Sequence, residues 1–405
     1  MVSRRARERE GPSEATGRPD NPCLRSTSVD TVFQILSDEL KAAFRGGVDE
    51  PWSDERFGDL AARVFEYQLD TNQVYANYCR KRGSMAAAYS DWESIPPVPT
   101  SGFKVVPLVS GDAASVERVF RTSGTTSGGV SRGEHHVPDL DLYRASLVPN
   151  LEKHLYGGDP LRLLALVPSP EEAPESSLSF MLGEALDMLS DGDGEFFVGA
   201  NLGLDVGGLR VAIETACTED QPVLLAGTAF ALVHWLDATA ETGLSFELPT
   251  GSRILETGGF KGRSRVLSRP EFYEALSTAL GVPASRIVNE YGMTELLSQF
   301  YEPVLSDPPD PEDPAVGALD QRAHFAPPWM RTRVLDPVSL APLPVGEEGL
   351  LCHYDLANLG SVMGVLTEDL GTLDAKGGLR VFGRVDGAEP RGCSLAMDDL
   401  LSGVV

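Results

Sequence analysis

The 405-residue chain contains little cysteine, few basic residues and no long uninterrupted apolar run. Its five cysteines are scattered, odd in number and without CxxC spacing, which indicates neither a disulfide framework nor a zinc site and favours the reducing cytoplasm. The longest apolar stretch, residues 222–236, is interrupted by Thr228 and His234 and is shorter than the roughly 20 residues of a membrane-spanning helix. The Arg-rich residues 1–25 lack the apolar segment of a signal peptide. We therefore expect no membrane partner.

Positive charge is also scarce. The 34 Lys and Arg residues stand against 60 Asp and Glu, which gives a formal net charge of −26. A surface of this sign repels DNA, RNA and anionic lipid, so we expect no nucleic-acid partner. The charge does not exclude a small anionic ligand, because a glycine-rich loop with a few basic side chains can bind phosphate inside an acidic protein.

The apolar pattern changes along the chain and predicts its organisation. Helical periodicity occupies residues 29–78, and from residue 161 short apolar runs alternate with amphipathic helices, which predicts an α/β fold with a doubly wound parallel sheet. After a Pro-rich loop at 306–314, short strands separated by Gly, Pro and Asp predict a small β-rich subdomain. The expected units are a disordered tail at 1–25, an α/β core at 26–305, the β-rich subdomain at 306–392 and a C-terminal tail at 393–405.

The glycine-rich loop, residues 121–133 (RTSGTTSGGVSRG), is the sharpest local signal. Glycines let backbone N–H groups approach an anion, and the hydroxyls add further donors. The loop differs from a Walker loop, in which Lys and Ser or Thr follow the second glycine directly. By its composition alone, a flexible connection is the alternative interpretation.

The Tyr-Gly motif, residues 289–296 (NEYGMTEL), follows a predicted strand, where ligands bind in open α/β sheets. Tyr291 could stack on a purine, Thr294 could donate to a phosphate, and Glu295 could hold Mg²⁺. A core tyrosine beside a solvated glutamate is the alternative. Two weaker motifs follow, at 366–369 (LTED) and 383–392 (GRVDGAEPRG), and each alone is typical of a solvated turn.

Taken together and in this order, the four motifs resemble the adenylate-forming superfamily of acyl-CoA ligases, luciferases and peptide-synthetase adenylation domains. The resemblance covers roughly residues 100–393 and implies the superfamily's large N-terminal domain, with doubly wound sheets and a small C-terminal β-rich subdomain. Several stretches are similar to the acyl-protein synthetase (LuxE-type) family in particular. They are residues 166–170 (LVPSP), 227–232 (GTAFAL), 256–265 (ETGGFKGRSR), 391–395 (RGCSL) and, most specific, 290–301 (EYGMTELLSQFY).

The resemblance implies a role for each matching residue. The superfamily binds the ATP phosphates with the loop residues that here are Thr122, Ser123, Gly124, Thr125 and Thr126, with Arg132 where a Lys is usual. It implies that Gly258 and Gly259 pack on adenine while Tyr291 stacks on the other face. Thr294 would contact the α phosphate, Glu295 the Mg²⁺, Asp369 the ribose hydroxyls, and Arg384 the ribose or a phosphate.

The implied chemistry has two steps, and the acceptor of the second is Cys393. A carboxylate first attacks the α phosphorus of ATP and forms an acyl adenylate, and the acyl group then passes to Cys393 in the Arg-Gly-Cys match. Arg391 and Arg384 would favour its thiolate, whereas an inert buried cysteine is the alternative. Lys261 and Arg263 are the cations nearest in sequence to the glycine pair, and a solvated basic turn is their alternative. The sequence leaves His135 and His136 undecided.

Three functions remain open at this point. Only residues 393–405 follow Gly392, so we expect no mobile C-terminal domain with a catalytic lysine, which favours the acyl-protein synthetase. The alternatives are an acid–CoA or acid–carrier-protein ligase of the same fold, and a non-catalytic adenylate-binding partner of a reductase complex. The expected substrate is a carboxylic, fatty acid, and the acyl acceptor could be a reductase, a carrier protein or CoA.

Overall fold

The computed structural model describes the chain over residues 22–83, 91–123, 132–158, 161–199, 201, 203–240, 243–258, 267–305, 319–384 and 391–401, with side chains described from residue 31. The helices in this part of the chain are α1 (Pro22–Phe44), α2 (Asp54–Thr71), α3 (Gln73–Arg82), α4 (Leu140–Leu151), α5 (Ser177–Leu189), α6 (Val206–Glu219), α7 (Ala229–Ala240), α8 (Arg269–Leu280) and α9 (Arg391–Leu401). None of them is long and apolar enough to cross a membrane.

The described strands form two larger sheets and one hairpin. They are β1 (Val98–Pro99), β2 (Arg118–Arg121), β3 (Glu134–Val137), β4 (Arg162–Leu166), β5 (Gly194–Phe196), β6 (Val223–Thr228), β7 (Arg253–Thr257), β8 (Ile287–Tyr291), β9 (Phe300–Tyr301), β10 (Met330–Leu335), β11 (Gly349–Asp355), β12 (Gly364–Leu373) and β13 (Leu379–Arg384). The parallel sheet has the order β5-β4-β6-β7-β8-β9, with antiparallel pairing at β8–β9 only.

The second sheet, called here the mixed sheet, has the order β1-β12-β11-β10, with β13 also paired to β12. Its strands are antiparallel except for β1, which pairs in parallel with β12. This sheet therefore combines the predicted β-rich region with a strand from residue 98, more than two hundred residues earlier in the chain. The glycine-rich loop joins the two strands of the β2–β3 hairpin.

The central strands of the parallel sheet are apolar on both faces because each face borders a different core. On β4, Leu163 and Ala165 pack into the core shared with α1–α5 and the mixed sheet, whereas Leu164 and Leu166 pack into the core formed with α6–α8. Burial on both faces is the normal state of a parallel sheet with helices on each side. The alternating strands and helices predicted from residue 161 are confirmed.

The helix ends carry the expected capping chemistry. Helix α8 begins with a capping box, in which Ser268 and Glu271 satisfy each other's backbone N–H groups, and Gly281, with φ of 71°, caps its C-terminal end. Helix α1 begins at Pro22, inside the predicted N-terminal tail, and residues 1–21 of that tail lie outside the described residues.

The chain after residue 392 differs from the expected tail, because residues through Leu401 belong to helix α9. The helix buries one stripe consisting of Cys393, Ala396, Met397 and Leu400, which is the spacing of an amphipathic helix. Gly102 allows this docking, since a Cβ at that position would lie 2.8 Å from Leu400 Cδ2. A salt bridge of 3.2 Å between Arg82 and Asp399 adds a polar contact.

The buried Gln68 connects helix α2 to the loop after β11 by hydrogen bonds. Its Nε2 donates to the carbonyl oxygens of Asn358 at 2.9 Å and Leu359 at 3.3 Å, and its Oε1 accepts from the Met363 N–H at 3.1 Å. Since Gln68 is fully buried, these backbone groups have no access to bulk water.

We predict that Gln68→Met lowers the free energy of unfolding by about 2 to 4 kcal/mol, because it leaves buried backbone groups unpaired. The control is Gln73→Met, since Gln73 is exposed and bonds only to Asn77 on the same helix in the described structure. Urea unfolding measures both variants. Equal shifts of the two midpoints would contradict the assigned role of Gln68.

Candidate active site

The base of the glycine-rich loop is closed by hydrogen bonds between Thr122 and Gly133. The Thr122 N–H donates to the Gly133 carbonyl at 3.0 Å, and the Gly133 N–H donates to Thr122 Oγ1 at 2.9 Å. Ser123 lies next to this base and is exposed. The candidates Gly124, Thr125 and Thr126 lie outside the described residues.

Arg132 is engaged with protein groups at the same loop base. Its Nε donates to the Thr122 carbonyl at 2.7 Å, and its guanidinium pairs with Glu175, which also accepts from Arg121 at 3.2 Å. The hydrogen bond from Arg132 lowers the pKa of the Glu175 carboxyl. In this structure Arg132 therefore stabilises the loop base, and binding a phosphate would require it to leave Glu175.

A chain of polar contacts connects the parallel sheet to the mixed sheet. Tyr291, the last residue of β8, donates its hydroxyl hydrogen to Asp369 Oδ2 at 2.8 Å. The β12–β13 register places Arg384 opposite Asp369, with Nε 3.5 Å from Oδ1. Burial raises the pKa of Tyr291 well above its usual value, so the phenol stays neutral and acts as a donor. The sequence predicted all three as site residues, and the structure brings them together.

Gly258 immediately follows β7, the strand beside β8. The parallel register sets Thr257 opposite Glu290, so Gly258 and Tyr291 lie at the same edge of the sheet. Gly258 has φ of 73°, and no described atom lies within 4 Å of where its Cβ would be. Glycine has no Cβ of its own, which lets a planar group approach its backbone closely. Gly259, Lys261 and Arg263 lie outside the described residues.

Two buried side chains form hydrogen bonds with the backbone carbonyl oxygens of the Thr-Glu turn, Thr294–Glu295. His135 Nδ1 lies 2.7 Å from the Thr294 carbonyl oxygen, and Asn358 Nδ2 donates to the Glu295 carbonyl oxygen at 2.9 Å. A carbonyl only accepts, so Nδ1 carries the hydrogen. Burial lowers the pKa of His135 to about 4, which keeps the ring neutral. Asp355 fixes the following residues by accepting from the Leu297 N–H at 2.9 Å.

The side chain of Glu295 is buried, and its carboxyl group accepts a hydrogen bond from its own backbone N–H. The residue is 6% exposed, and no described side chain forms a hydrogen bond or ion pair with its carboxyl group. Burial raises the pKa of Glu295 to about 7, although Arg384 and Lys104 lie near enough to oppose that increase. A buried carboxyl group of this kind can take up either a proton or a cation.

The described residues contain no cluster of three or more His, Cys, Asp or Glu side chains able to hold a metal ion. Among the described side chains, Glu295 is the one we consider as a ligand of a cation at this place. Mg²⁺ is commonly held by one or two carboxylates together with substrate phosphates.

Cys393 lies in the core, whereas the sequence suggested a thiol on a tail. The residue is 1% exposed, and its Sγ donates to the Thr367 carbonyl oxygen at 3.8 Å. Thr367 stands two residues before Asp369 on β12, so the thiol lies beside the strand that carries a candidate site residue. Arg391, expected to favour the thiolate, is exposed at the start of α9.

Sequence reasoning missed Asn358 and Lys104 and left His135 undecided. His135 lies 159 residues from Thr294, and Asn358 lies 63 residues from Glu295. No local pattern predicts these contacts. The sequence shows a His-His pair beside the glycine-rich loop, but it does not distinguish the buried His135 from His136, whose Nε2 lies 3.4 Å from Glu134.

The family model for acyl-protein synthetase, LuxE, matches residues 196–402, just over half of the chain. The long-chain-fatty-acid–luciferin-component ligase of Vibrio harveyi is 23% identical over 379 residues, which cover 87% of this chain and 90% of that protein. The ligase of the same name from Aliivibrio fischeri is 23% identical over 358 residues, which cover 84% of this chain and 88% of that protein.

Among solved structures, 2-hydroxyisobutyryl-CoA ligase in complex with 2-HIB-AMP and CoA matches with a TM-score of 0.58 at 16% identity, covering 82% of this chain and 68% of that chain. ATP-bound MatB from Rhodopseudomonas palustris is 16% identical over 68% of this chain, with a TM-score of 0.46, and the match spans about half, 49%, of that protein. The likeness to the CoA ligase concerns the fold alone. The expected α/β fold of adenylate-forming enzymes is confirmed.

We predict that His135→Asn changes how folding stability depends on pH. Burial lowers the pKa of His135 from 6.5 to about 4. As the pH falls through this window, the unfolded wild type binds a proton that the folded protein does not, so the wild type loses stability relative to the variant. The expected change is about 1.4 kcal/mol per pH unit.

Urea unfolding at pH 7, 6 and 5 measures this difference. Asn retains an amide donor for the Thr294 carbonyl oxygen, so the variant removes the titration and keeps the hydrogen bond. His234→Asn, at an exposed position on α7, is the control. A difference between wild type and His135→Asn that stays constant across the three pH values would contradict a neutral, buried His135.

Proposed function

This chain belongs to the acyl-protein synthetase, LuxE, family, and on that basis we propose that it uses ATP to convert a fatty acid into an acyl adenylate and transfers the acyl group to a protein thiol. The single observation that carries the proposal is the convergence of Tyr291, Asp369, Arg384 and the Thr-Glu turn where the two sheets meet. The two relatives, both long-chain-fatty-acid–luciferin-component ligases, support a fatty acid as the substrate class.

We assign the nucleoside to the edge formed by β7, β8 and β12. Adenine would lie between the Gly258–Gly259 backbone and the Tyr291 ring. This assignment is supported by the lack of any described atom within 4 Å of a Cβ at Gly258. Asp369 would accept hydrogen bonds from the ribose hydroxyls, and Arg384, 75% exposed at its side chain, could turn to the ribose or a phosphate. Because Tyr291 already donates to Asp369, the two side chains position each other.

We assign the phosphates to the space between the glycine-rich loop and the Thr-Glu turn. The loop residues Thr122, Ser123, Gly124, Thr125 and Thr126 would donate to the terminal phosphates, and Thr294 would contact the α phosphate. The hydrogen bond from His135 on β3 to the Thr294 carbonyl supports this assignment, because it joins the hairpin that carries the loop to the turn.

Glu295 is the residue that would hold Mg²⁺. Its carboxyl group is buried and has no described side-chain partner. The positive charges of Lys104 and Arg384 favour its ionised form. A divalent cation there would supply positive charge that offsets the negative charge of the triphosphate. The rigid attachment of the turn to His135 and Asn358 would keep the carboxylate in place without reorganisation.

In the first step, an oxygen of the substrate carboxylate bonds to the α phosphorus. The bond from that phosphorus to the α–β bridging oxygen breaks, and pyrophosphate leaves with the electron pair. No proton is transferred, so the tasks of the protein are orientation and charge stabilisation. Thr294, Arg384 and the loop donors are the groups we assign to this step.

In the second step, a thiolate attacks the acyl carbonyl and AMP leaves. We assign the thiol to Cys393, and its neighbour Thr367 on β12 supports this by placing it near Asp369. Because the sulfur is buried, helix α9 must shift before the thiol can react.

This burial is also the observation that favours the second candidate, a ligase that transfers the acyl group to CoA or a carrier protein. A reducing cytoplasm would keep the free thiols of the described cysteines reduced.

We predict that Glu295→Gln lowers the rate of Mg²⁺-dependent ATP–pyrophosphate exchange roughly 100-fold or more, because it removes the charged ligand at the developing charge. In the wild type, apparent Mg²⁺ affinity in the presence of ATP should rise with pH through about 7 and level off above it, since a proton competes with the metal at a carboxyl group of that pKa. The variant should show weak binding without this rise.

The control for Glu295 is Glu290→Gln. Glu290 is also buried and burial also raises its pKa to about 7, but its carboxyl group accepts a hydrogen bond from Thr257. Exchange by the Glu290 variant should keep its Mg²⁺ dependence. Normal exchange by Glu295→Gln would exclude Glu295 as the metal ligand.

We predict that the protein, incubated with ATP and radiolabelled tetradecanoate, acquires hydroxylamine-labile label that Cys393→Ser abolishes. Ser lacks the thiol needed for a thioester. Cys217→Ser, at a half-buried cysteine on α6, should retain the label. Label that passes only to CoA would support the CoA ligase instead, and absence of pyrophosphate release with any acid of a panel would support a non-catalytic adenylate-binding partner.

A further inference from the structure

Lys104 ends a short 3₁₀ helix, Thr100–Lys104, that is anchored on three sides. The helix follows β1, whose Pro99 pairs with Leu366 of β12. Its Phe103 is buried with its ring edge-on to His135, at a centroid distance of 5.8 Å. Helix α9 packs against its Gly102. The position of Lys104 is therefore determined by the mixed sheet, the β2–β3 hairpin and the C-terminal helix together.

The side chain of Lys104 runs along the base of the glycine-rich loop. Its Cγ lies 3.6 Å from the position that a Cβ of Gly133 would occupy, and Gly133 forms the two hydrogen bonds with Thr122 that close the loop. Lys104 is half-buried. A lysine at such a position commonly packs its aliphatic stem on protein and keeps its ammonium group in water.

Lys104 is also connected to the Thr-Glu turn through its neighbour Phe103. The Phe103 ring contacts His135, and His135 hydrogen-bonds the Thr294 carbonyl oxygen, so the 3₁₀ helix lies beside both the loop base and the turn. Within the described part of the chain, no carboxylate lies within ion-pair distance of the Lys104 ammonium. Among the described residues of the site, Arg132 pairs with Glu175 and Arg384 pairs with Asp369.

We propose that Lys104 is a catalytic residue whose ammonium group binds the β and γ phosphate oxygens of ATP, between the Thr122–Gly133 loop base and Glu295. This inference rests on the proposed function and extends it. As the acyl adenylate forms, the electron pair of the broken bond stays on pyrophosphate, and the nearby ammonium stabilises that added negative charge. No covalent bond to Lys104 forms or breaks.

The test compares Lys104→Met, Lys104→Arg and the control Lys153→Met in the full chain. Met keeps the length of the stem and removes the charge. Lys153 is a surface lysine paired with Asp49 at 2.9 Å, outside the proposed site. Calorimetric titration with MgATP and separately with AMP measures binding, and ATP–pyrophosphate exchange with a fatty acid measures the first chemical step. Thermal unfolding verifies that the variants are folded.

We expect Lys104→Met to bind MgATP about tenfold or more weakly, to bind AMP like the wild type, and to lose roughly 100-fold in exchange rate. Lys104→Arg should recover part of both losses because it restores the charge. A merely structural role would weaken ATP and AMP binding alike. Equal weakening of both ligands, or wild-type ATP binding and exchange by Lys104→Met, would overturn the proposal.

The binding data separate this proposal from the function on which it rests. If the wild type binds MgATP, and Lys104→Met selectively weakens it, but no acid supports exchange, then Lys104 binds phosphate and the proposed activity is wrong. If the wild type binds neither MgATP nor AMP, both proposals are overturned. If exchange occurs and Lys104→Met leaves it unchanged, the proposed function stands and the role of Lys104 is excluded.

Discussion

Burial of the parallel sheet on both faces is the constraint on which the site depends. Strands β4, β6 and β7 send alternate side chains into two different cores, so their faces have no room for a polar ligand. In open α/β sheets, ligands bind at the edge where the parallel strands end. Gly258 after β7 and Tyr291 at the end of β8 emerge there. The mixed sheet meets this edge through Asp369.

Burial also sets the charge states around the Thr-Glu turn, with opposite signs for acids and bases. Loss of water raises the pKa of Glu295 to about 7 and lowers that of His135 to about 4, because the charged form is disfavoured in both cases. The histidine is therefore neutral and supports the turn, whereas the glutamate takes up or releases a proton near pH 7. The same loss of water thus fixes the protonation state of one group and leaves the other close to the middle of its titration.

The sequence predicted the elements better than the contacts between them. The alternation after residue 161 predicted strands and helices that the structure contains, because burial on two faces or on one stripe leaves a local pattern. Helix α9 was expected as a tail although Cys393, Ala396, Met397 and Leu400 have helical spacing. The burial of this stripe depends on its packing against Gly102, which the sequence does not predict. No local pattern predicted the hydrogen bonds of His135 and Asn358 to the turn, since each of them bonds to a residue distant in the chain.

The sequence by itself determined the fold class, the family and the order of the motifs, since these depend on local periodicity and on residue types at set spacings. The tertiary structure alone decided which of the matching residues meet. It paired Arg132 with Glu175, joined Tyr291 to Asp369, buried the Cys393 thiol and brought Lys104 beside the loop base. The physical reason is that charge and solvation depend on neighbours in space, and the chain brings these together from segments separated by many tens of residues.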